Sequence, residues 1–462
     1  MQKIYFKEGL LGADWAQDIC MGISADGIIE SIEAGVKAPK GVFCFDTVLP
    51  SMPNLHSHAF QRAFAGLTEY KKPGQSNFWS WRNAMYHFAK RMNPAALKVI
   101  ASALYVEMLK AGYTAVGEFH YLHNSHIDQS LAMSEAIIGA AETSGVALTH
   151  LPVLYQASDF GGKPAEEGQQ SFLHSNEDFG RLLQVLGGKL KGRHKLGMAF
   201  HSLRAVHAES FAPAIEALEK ISLKAPIHIH ISEQMREVEA SLAHSGKRPI
   251  EWLLENQKVD ERWCLVHATH LLEAEWRGVA ESGAVVGLCP ATEANLGDGI
   301  FPVPEYMKCG GRWGIGSDSH ISIDVREELR LLEYGQRLVR QERTVLSGDD
   351  GGHTGINLWA SAAKGGAQAL GQPVGELVAG KRADLIVLNT DTPMFAGASY
   401  GQIVDTFIFS SQPNPISDVM VAGNWVIRDG KHAMETRFLG SIKTLSLKLQ
   451  RTRSLPNECP SL

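Results

Sequence analysis

The residues best suited to chemistry begin in Pro53-Asn54-Leu55-His56-Ser57-His58. His56 and His58 stand two residues apart, and on a β-strand that spacing puts both imidazoles on one face. Two neutral imidazoles aimed at one point suit a zinc-like divalent ion. The chain has 19 histidines to place, so two polar loop residues are the competing reading. Other segments weigh on the choice. Pro226-Ile227-His228-Ile229-His230-Ile231-Ser232-Glu233 repeats the pattern, with His228 and His230 sharing a face. Leu265-Val266-His267 ends one apolar run, and Gly314-Ile315-Gly316-Ser317-Asp318-Ser319-His320 ends another. A single histidine in an apolar strand is ordinarily a satisfied core residue. Run ends presenting His, His, His and Asp together point instead to a catalytic metal site. Imidazoles and a carboxylate supply enough ligands for zinc while leaving room for water.

Such residues need a frame that gathers them. From roughly Leu49 to Leu370 the chain alternates strand-like and helix-like runs. Asn93-Pro94 starts a helix, since Asn caps and Pro suits the first turn. It runs through Leu97, Ala101, Leu104 and Met108 to near Gly112, and the β-rich run Tyr113 to Phe119 follows. Further strands are expected at Ala147–Leu154, Lys195–Phe200, Ile227–Ile231, Cys264–His267, Ala284–Leu288 and Arg312–Ile315. With the strand before His56 this makes eight parallel strands, the number that closes a (β/α)8 TIM-type barrel. An open doubly wound sheet is the alternative, but no G-x-G-x-x-G turn supports it. In a barrel the chemistry sits at the C-terminal strand ends, where His56, His58, His230, His267 and Asp318 all fall.

The flanks read as a small β-sandwich domain built from both termini. Lys3–Phe6 and Ile28–Ile32 are β-like, with Asp26-Gly27 as a turn. Ala383–Leu388 follows a Gly380-Lys381-Arg382 turn, and Asp418–Ala422 and Trp425–Arg428 flank Gly423-Asn424 as a hairpin. The division expected is 1–48 with 371–440 for the β domain, 49–370 for the barrel and 441–462 for a tail without functional signal.

Composition excludes other classes. A content of 44% hydrophobic and 20% charged residues is that of a globular chain. A net charge of −6 leaves no basic footprint for nucleic acid. No apolar run is long enough to span a bilayer. Met1–Cys20 has no cationic segment followed by an apolar core, so no secretory signal is expected and the location read is cytoplasmic. The scattered cysteines (Cys20, Cys44, Cys264, Cys289, Cys309, Cys459) read as buried thiols in a reducing compartment. A homodimer is the commonest assembly for such a chain.

His-x-His on strand one, His-x-x-Glu on strand five, His on strand six and Asp on strand eight resemble the amidohydrolase superfamily. The resemblance covers nearly the whole chain, including Gly380-Lys381-Arg382-Ala383-Asp384. It implies metal ligands His56, His58, His230 and Asp318, and catalytic roles for Glu233 and His267. Binuclear members carry a bridging Lys at the end of strand four. Here His201 stands near that end and Lys195 at the start, which argues for one metal, zinc or iron(II). Mononuclear members with His-x-x-Glu on strand five are typically deaminases. In that chemistry Glu233 would shuttle the proton, Asp318 would bind metal with one oxygen and accept a proton with the other, and His267 would orient or deprotonate the water. The competing reading of Glu233 is an exposed residue opening the next helix.

Substrate must be read from neighbouring residues, since the fold does not fix it. Gln61 follows the His pair, and Arg82 ends the aromatic segment Phe78-Trp79-Ser80-Trp81-Arg82. Tyr121 follows strand two, and His201 and Arg204 follow strand four. Two arginines at one pocket mouth suit a dicarboxylate, because guanidinium binds carboxylate in a bidentate fork. The segments 53–69, Glu118-Phe119-His120-Tyr121-Leu122-His123 and 316–320 are closely similar to the formimidoylglutamate deiminase family. That resemblance implies substrate contacts at Gln61, Arg82, Tyr121, His201 and Arg204, and hydrolysis of N-formimino-L-glutamate in histidine breakdown. Phe78, Trp79 and Trp81 read equally as a water-excluding lid or a packed loop. The alternatives are a deaminase or chlorohydrolase of a heterocyclic or other amidine-like substrate, and a non-catalytic scaffold. His120, His123 and His126 cluster, but without a His-Glu-x-x-His helix. Cys289-Pro290 lacks the second thiol of the nucleobase-deaminase signature.

Overall fold

The computed structural model describes residues 2–12, 14–67, 69, 82, 85, 86, 88–123, 127–348, 351–410, 413–437 and 440. Phe78, Trp79, Trp81, His126, Cys459 and the tail 441–462 lie outside the described residues. Four strands open the chain: β1 (Gln2–Leu11), β2 (Asp14–Ile23), β3 (Ile29–Glu33) and β4 (Cys44–Pro50). Then follow β5 (Met52–Ser57), β6 (Tyr113–His120), β7 (Ala147–Leu154), β8 (Lys195–Leu196) and β9 (Met198–Phe200). Next come β10 (Ile227–Ile231), β11 (Trp263–His267), β12 (Val285–Leu288) and β13 (Arg312–Ile315). Last are β14 (Leu385–Leu388), β15 (Ile416–Val421), β16 (Asn424–Arg428) and β17 (Lys431–His432).

Strands β5 to β13 form one parallel sheet in the order β13-β12-β11-β10-β9-β7-β6-β5, with β8 also on β7. An isolated parallel bridge between Ser57 and Asp318 joins its two ends, so the sheet is a nearly closed barrel of eight strand positions. Every residue of β5, β6, β7, β11 and β12 is buried, which is why these strands read as continuous rather than alternating runs. The expected strand Lys195–Phe200 is broken at Gly197. The Gly197 amide donates to His150 O at 3.0 Å, and a Cβ there would lie 2.6 Å from Pro226 O. The helix expected after Asn93 spans Pro94–Lys110, with Asn93 Oδ1 accepting from the Ala96 amide at 2.9 Å.

The sandwich expected from both termini is realised as one continuous sheet in the order β17-β16-β15-β14-β4-β1-β2-β3. It has its own apolar cluster, in which Phe6, Met21, Ile29 and Val48 from the first strands meet Leu385, Val387 and Met420 from the last. Backbone bonds from Ala383 N to Gly27 O (2.8 Å) and from Ile29 N to Lys381 O (2.9 Å) tie the two halves together. Strand β2 has no counterpart in the sequence reading: its exposed Asp14, Gln17 and Asp18 blur any period-2 signal. The cysteine reading is corrected in part. Cys264 and Cys289 are buried, but Cys20 and Cys309 are half-buried, and Cys44 is exposed where β4 begins. Among the described residues, no helix is long and apolar enough to cross a membrane.

Candidate active site

Barrel closure itself brings the first candidate residues together. The Asp318 amide donates to His56 O at 3.0 Å and the His58 amide donates to Asp318 O at 3.1 Å. Gly316 makes this approach achievable: a Cβ there would lie 2.8–3.0 Å from the Cβ, N and O of His56. Asn54 locks the same seam, donating to Ser317 Oγ (2.6 Å) and accepting from the Ser317 amide (3.1 Å). The pairing of β5 with β6 shifts register between Asn54 and Ser57, yet both imidazoles still face inward to one point.

There the donor atoms converge. His56 Nε2 lies 3.1 Å from His58 Nε2 and 2.9 Å from His230 Nε2. Asp318 Oδ1 lies 3.4 Å from His56 Nε2 and 3.2 Å from His58 Nε2. Those spacings match the edges of a tetrahedron with zinc–ligand bonds of ~2.0–2.1 Å, whose edges measure about 3.3 Å. The four donors lie within 4.8 Å of one another, so this set fits a metal ion. The outer nitrogens of two of these histidines are fixed as ligating histidines require, whereas the buried Nδ1 of His56 has no partner among the described residues. His58 Nδ1–H donates to Phe119 O at 2.9 Å and His230 Nδ1–H donates to His201 O at 3.1 Å. Burial pushes the His56 imidazole down to about 3, so it stays in the neutral form that ligates. Glu118, fully buried, holds the loop after His58 by accepting from Ser57 Oγ (2.6 Å), the Ala59 amide (2.7 Å) and Tyr105 (3.1 Å).

Beside the cluster stand Glu233 and His267. His267 Nε2 is 3.9 Å from Glu233 Oε1 and 3.9 Å from Asp318 Oδ2. Burial, reinforced by Asp318 and Glu237, pushes the Glu233 carboxyl up to about 7 against the pull of His267. Burial opposes charge on His267, but Glu233, Glu293 and Asp318 outweigh it and raise the imidazole to about 10. A carboxyl poised near neutrality beside a cationic imidazole can both accept and return a proton. Ser232, His267 and Asp318 all adopt left-handed backbone, with φ of 53°, 67° and 44°. Non-glycine residues held there cost of order 1–3 kcal/mol each, and such strain clusters at functional sites.

A cavity of about 630 Å³, counting its open mouth, lies over these groups. Gln61, Arg82, Tyr121, His201 and Arg204 all line it together with His58, His230, Glu233, His267 and Asp318. Gln61 Nε2 donates to Tyr121 Oη at 2.7 Å, while its buried Oε1 has no partner among the described residues. Burial lowers Arg82; on Arg204, Tyr155 and Glu237 outweigh burial and raise it. Several residues in the cavity wall or behind it escaped the sequence reading. Tyr155 follows β7 directly and its ring meets His201 at 4.5 Å, so the strand-end rule, applied to strand three, would have found it. Gln169 donates to Tyr155 Oη at 2.7 Å and to Tyr86 Oη at 3.2 Å. Glu237, one helical turn past Glu233, accepts the Glu233 amide at 3.2 Å. Glu293 and Asp298 sit behind His267 and Glu233, on a segment with no distinguishing motif.

Comparison with known proteins agrees with this geometry. Residues 47–426 match the amidohydrolase family. Formimidoylglutamate deiminase of Pseudomonas aeruginosa is 49% identical over 442 residues, covering 95% of this chain and 97% of that protein. A 5-methylthioadenosine/S-adenosylhomocysteine deaminase of Natronomonas pharaonis is 25% identical over 402 residues, covering 86% and 84%. The crystal structure of an amidohydrolase from Brucella melitensis superimposes with a TM-score of 0.92 at 41% identity, covering 97% of this chain and 100% of that one. An adenosine deaminase structure from Xanthomonas campestris with bound zinc shares the fold, with a TM-score of 0.81 at 19% identity over 97% and 98%.

Proposed function

The chain belongs to the amidohydrolase family, and from that premise we propose that it hydrolyses N-formimino-L-glutamate to N-formyl-L-glutamate and ammonia. His56, His58, His230 and Asp318 would hold one divalent ion, zinc or iron(II), which when bound supplies a water acidic enough to attack at neutral pH. Glu233 takes a proton from the attacking water and delivers it to the terminal nitrogen of the formimino group. That carbon is flanked by two nitrogens, and protonating the terminal one makes ammonia the leaving group and leaves the formamide. Asp318 accepts the second proton of the water as the tetrahedral centre collapses, and that proton follows to the departing nitrogen, so the two protons of one water turn the terminal NH into ammonia. His267 orients that water and stabilises charge developing on its oxygen. Arg82 and Arg204 take the two carboxylates of the glutamyl part, and Gln61, Tyr121 and His201 fix its orientation. Residues 49–370 form the catalytic unit in this reading, with 1–48 and 371–440 as the β domain.

The observation that carries the reading is the shared cavity, lined at once by Arg82, Arg204, Glu233, His230 and Asp318. A nucleobase would be met by stacking groups and amides, whereas two guanidinium groups favour a diacid. Incubation of the purified holoenzyme with N-formimino-L-glutamate tests it, with products resolved by chromatography. Ammonia and N-formyl-L-glutamate are expected in equal amounts. Formamide and glutamate would overturn the bond assignment, and no turnover would overturn the substrate.

A further inference from the structure

His267 has a partner that the proposed mechanism does not use. Glu293 lies in the short helix Pro290–Leu296 after β12, with 6% of its surface exposed. Its Oε1 sits 3.2 Å from His267 Nδ1 and also accepts the Cys289 amide at 2.8 Å. On the other edge of the ring, Nε2 faces Glu233 and Asp318 at 3.9 Å each. A neutral imidazole carries its proton on either nitrogen, and the hydrogen bond made by one nitrogen decides the state of the other. A buried carboxylate against Nδ1 selects the Nδ1–H form. It also favours the imidazolium, and when that ring gives up its Nε2 proton the form that remains is Nδ1–H, with the Nε2 lone pair toward the cavity.

Building on the reading of His267 above, we infer that Glu293 is a positioning residue for the reaction. It fixes the His267 tautomer so that Nε2, not Nδ1, meets the reacting water. The competing role is purely structural, since Glu293 also caps its own helix through the Cys289 amide. Both contacts go to the same oxygen, so leucine removes both, and the His267→Asn background separates the roles: a helix-capping loss persists there and a positioning loss does not.

The test compares wild-type holoenzyme with Glu293→Leu, His267→Asn and the double variant on N-formimino-L-glutamate. Metal content and thermal midpoint are measured alongside. Glu293→Leu should lower kcat about tenfold to a hundredfold, the range seen when a histidine-orienting partner is lost. KM should stay within about twofold, as Glu293 does not line the cavity. In the His267→Asn background the same change should cost nothing further. Wild-type kcat in Glu293→Leu, or an equal loss in both backgrounds, would overturn the inference. If the double variant is too slow to measure, the 15N shifts of His267 decide. Wild type should show Nδ1 protonated and Glu293→Leu a mixed or reversed pattern, and identical spectra sink the idea. Failure of the wild type to turn over this substrate would sink the substrate proposal alone, because the 15N measurement still reads the tautomer.

Discussion

Two histidine clusters lie on either side of one strand, and only one gathers its nitrogens. On β6, the Phe119 ring stands 4.9, 5.3 and 4.3 Å from the rings of His56, His58 and His230. One residue on, the His120 ring stands 5.5 Å from His123 and 5.3 Å from His150, and His123 in turn 4.2 Å from His174. A single step along a strand reverses the face, so neighbouring residues serve different chemistries. In the first cluster, nitrogens approach to 2.9–3.1 Å around one point. In the second, His120 Nε2, His123 Nδ1 and both nitrogens of His150 are buried without partners among the described residues. Among the described residues, no three donors of that second group lie within 4.8 Å of one another, so histidine density alone does not make a metal site.

The sharpest way to break this comparison is to remove one residue from each cluster. His58→Ala should lower kcat by more than about a hundredfold, which is the ceiling for losing only an outer partner of a ligand. Bound metal, measured by elemental analysis, should fall with it. His150→Leu should leave kcat within about twofold and metal content unchanged. A His58→Ala enzyme that keeps both its rate and its ion would erase the distinction.

A smaller effect is expected at the far end of the cavity. Each charge-assisted hydrogen bond to a substrate carboxylate contributes ~1.5–3 kcal/mol, so Arg82→Ala or Arg204→Ala should cost roughly tenfold to a hundredfold in kcat/KM. The loss should appear mainly in KM. An N-alkyl formamidine lacking carboxylates should be hydrolysed equally well by wild type and both variants. Equal sensitivity of the two substrates would mean that the arginines support the fold rather than the diacid.

Much of this arrangement could be read before any coordinates. The ligand-type residues stand at strand ends, and the strands announce themselves as buried apolar runs whose hydrogen bonds repeat locally. The expected limits of Ala147–Leu154, Ile227–Ile231 and Arg312–Ile315 coincide with β7, β10 and β13. What stayed hidden depends on contacts between distant segments. The break at Gly197 answers to Pro226, across the sheet. Strand β2 is held by pairing with β1 from Gln2↔Ile23 to Leu11↔Asp14, although its outer face is polar enough to mimic a loop. Glu118, Glu237 and Glu293 look like ordinary surface acids in sequence. Each becomes informative only because the barrel buries it against a named donor. Asp318 was legible for the opposite reason, since Gly316-Ser317-Asp318 closes an apolar run where little but function would place a carboxylate.

The smallest effect concerns stability and comes from the silent cluster. Burial, and then the neighbouring His120, holds His150 well below its ordinary value of 6.5, and burial takes His120 down to about 3. Both therefore fold as neutral imidazoles. The unfolded chain binds a proton at each of them once the pH drops below about 6.5, while the folded chain does not. Their neutral burial is accordingly fully compatible with folding above that pH, and stability is lost as acid is added. One such group contributes about 1.4 kcal/mol per pH unit to that slope. His150→Leu should flatten the acid limb of urea-unfolding stability by about that amount between neutral pH and mild acid. At pH 8 it should change stability by no more than about 1 kcal/mol, because an apolar side chain replaces polar atoms that had no partner. An unchanged acid slope would mean that His150 charges freely in the folded protein, and the contrast between a working cluster and a merely buried one would fail on its second side.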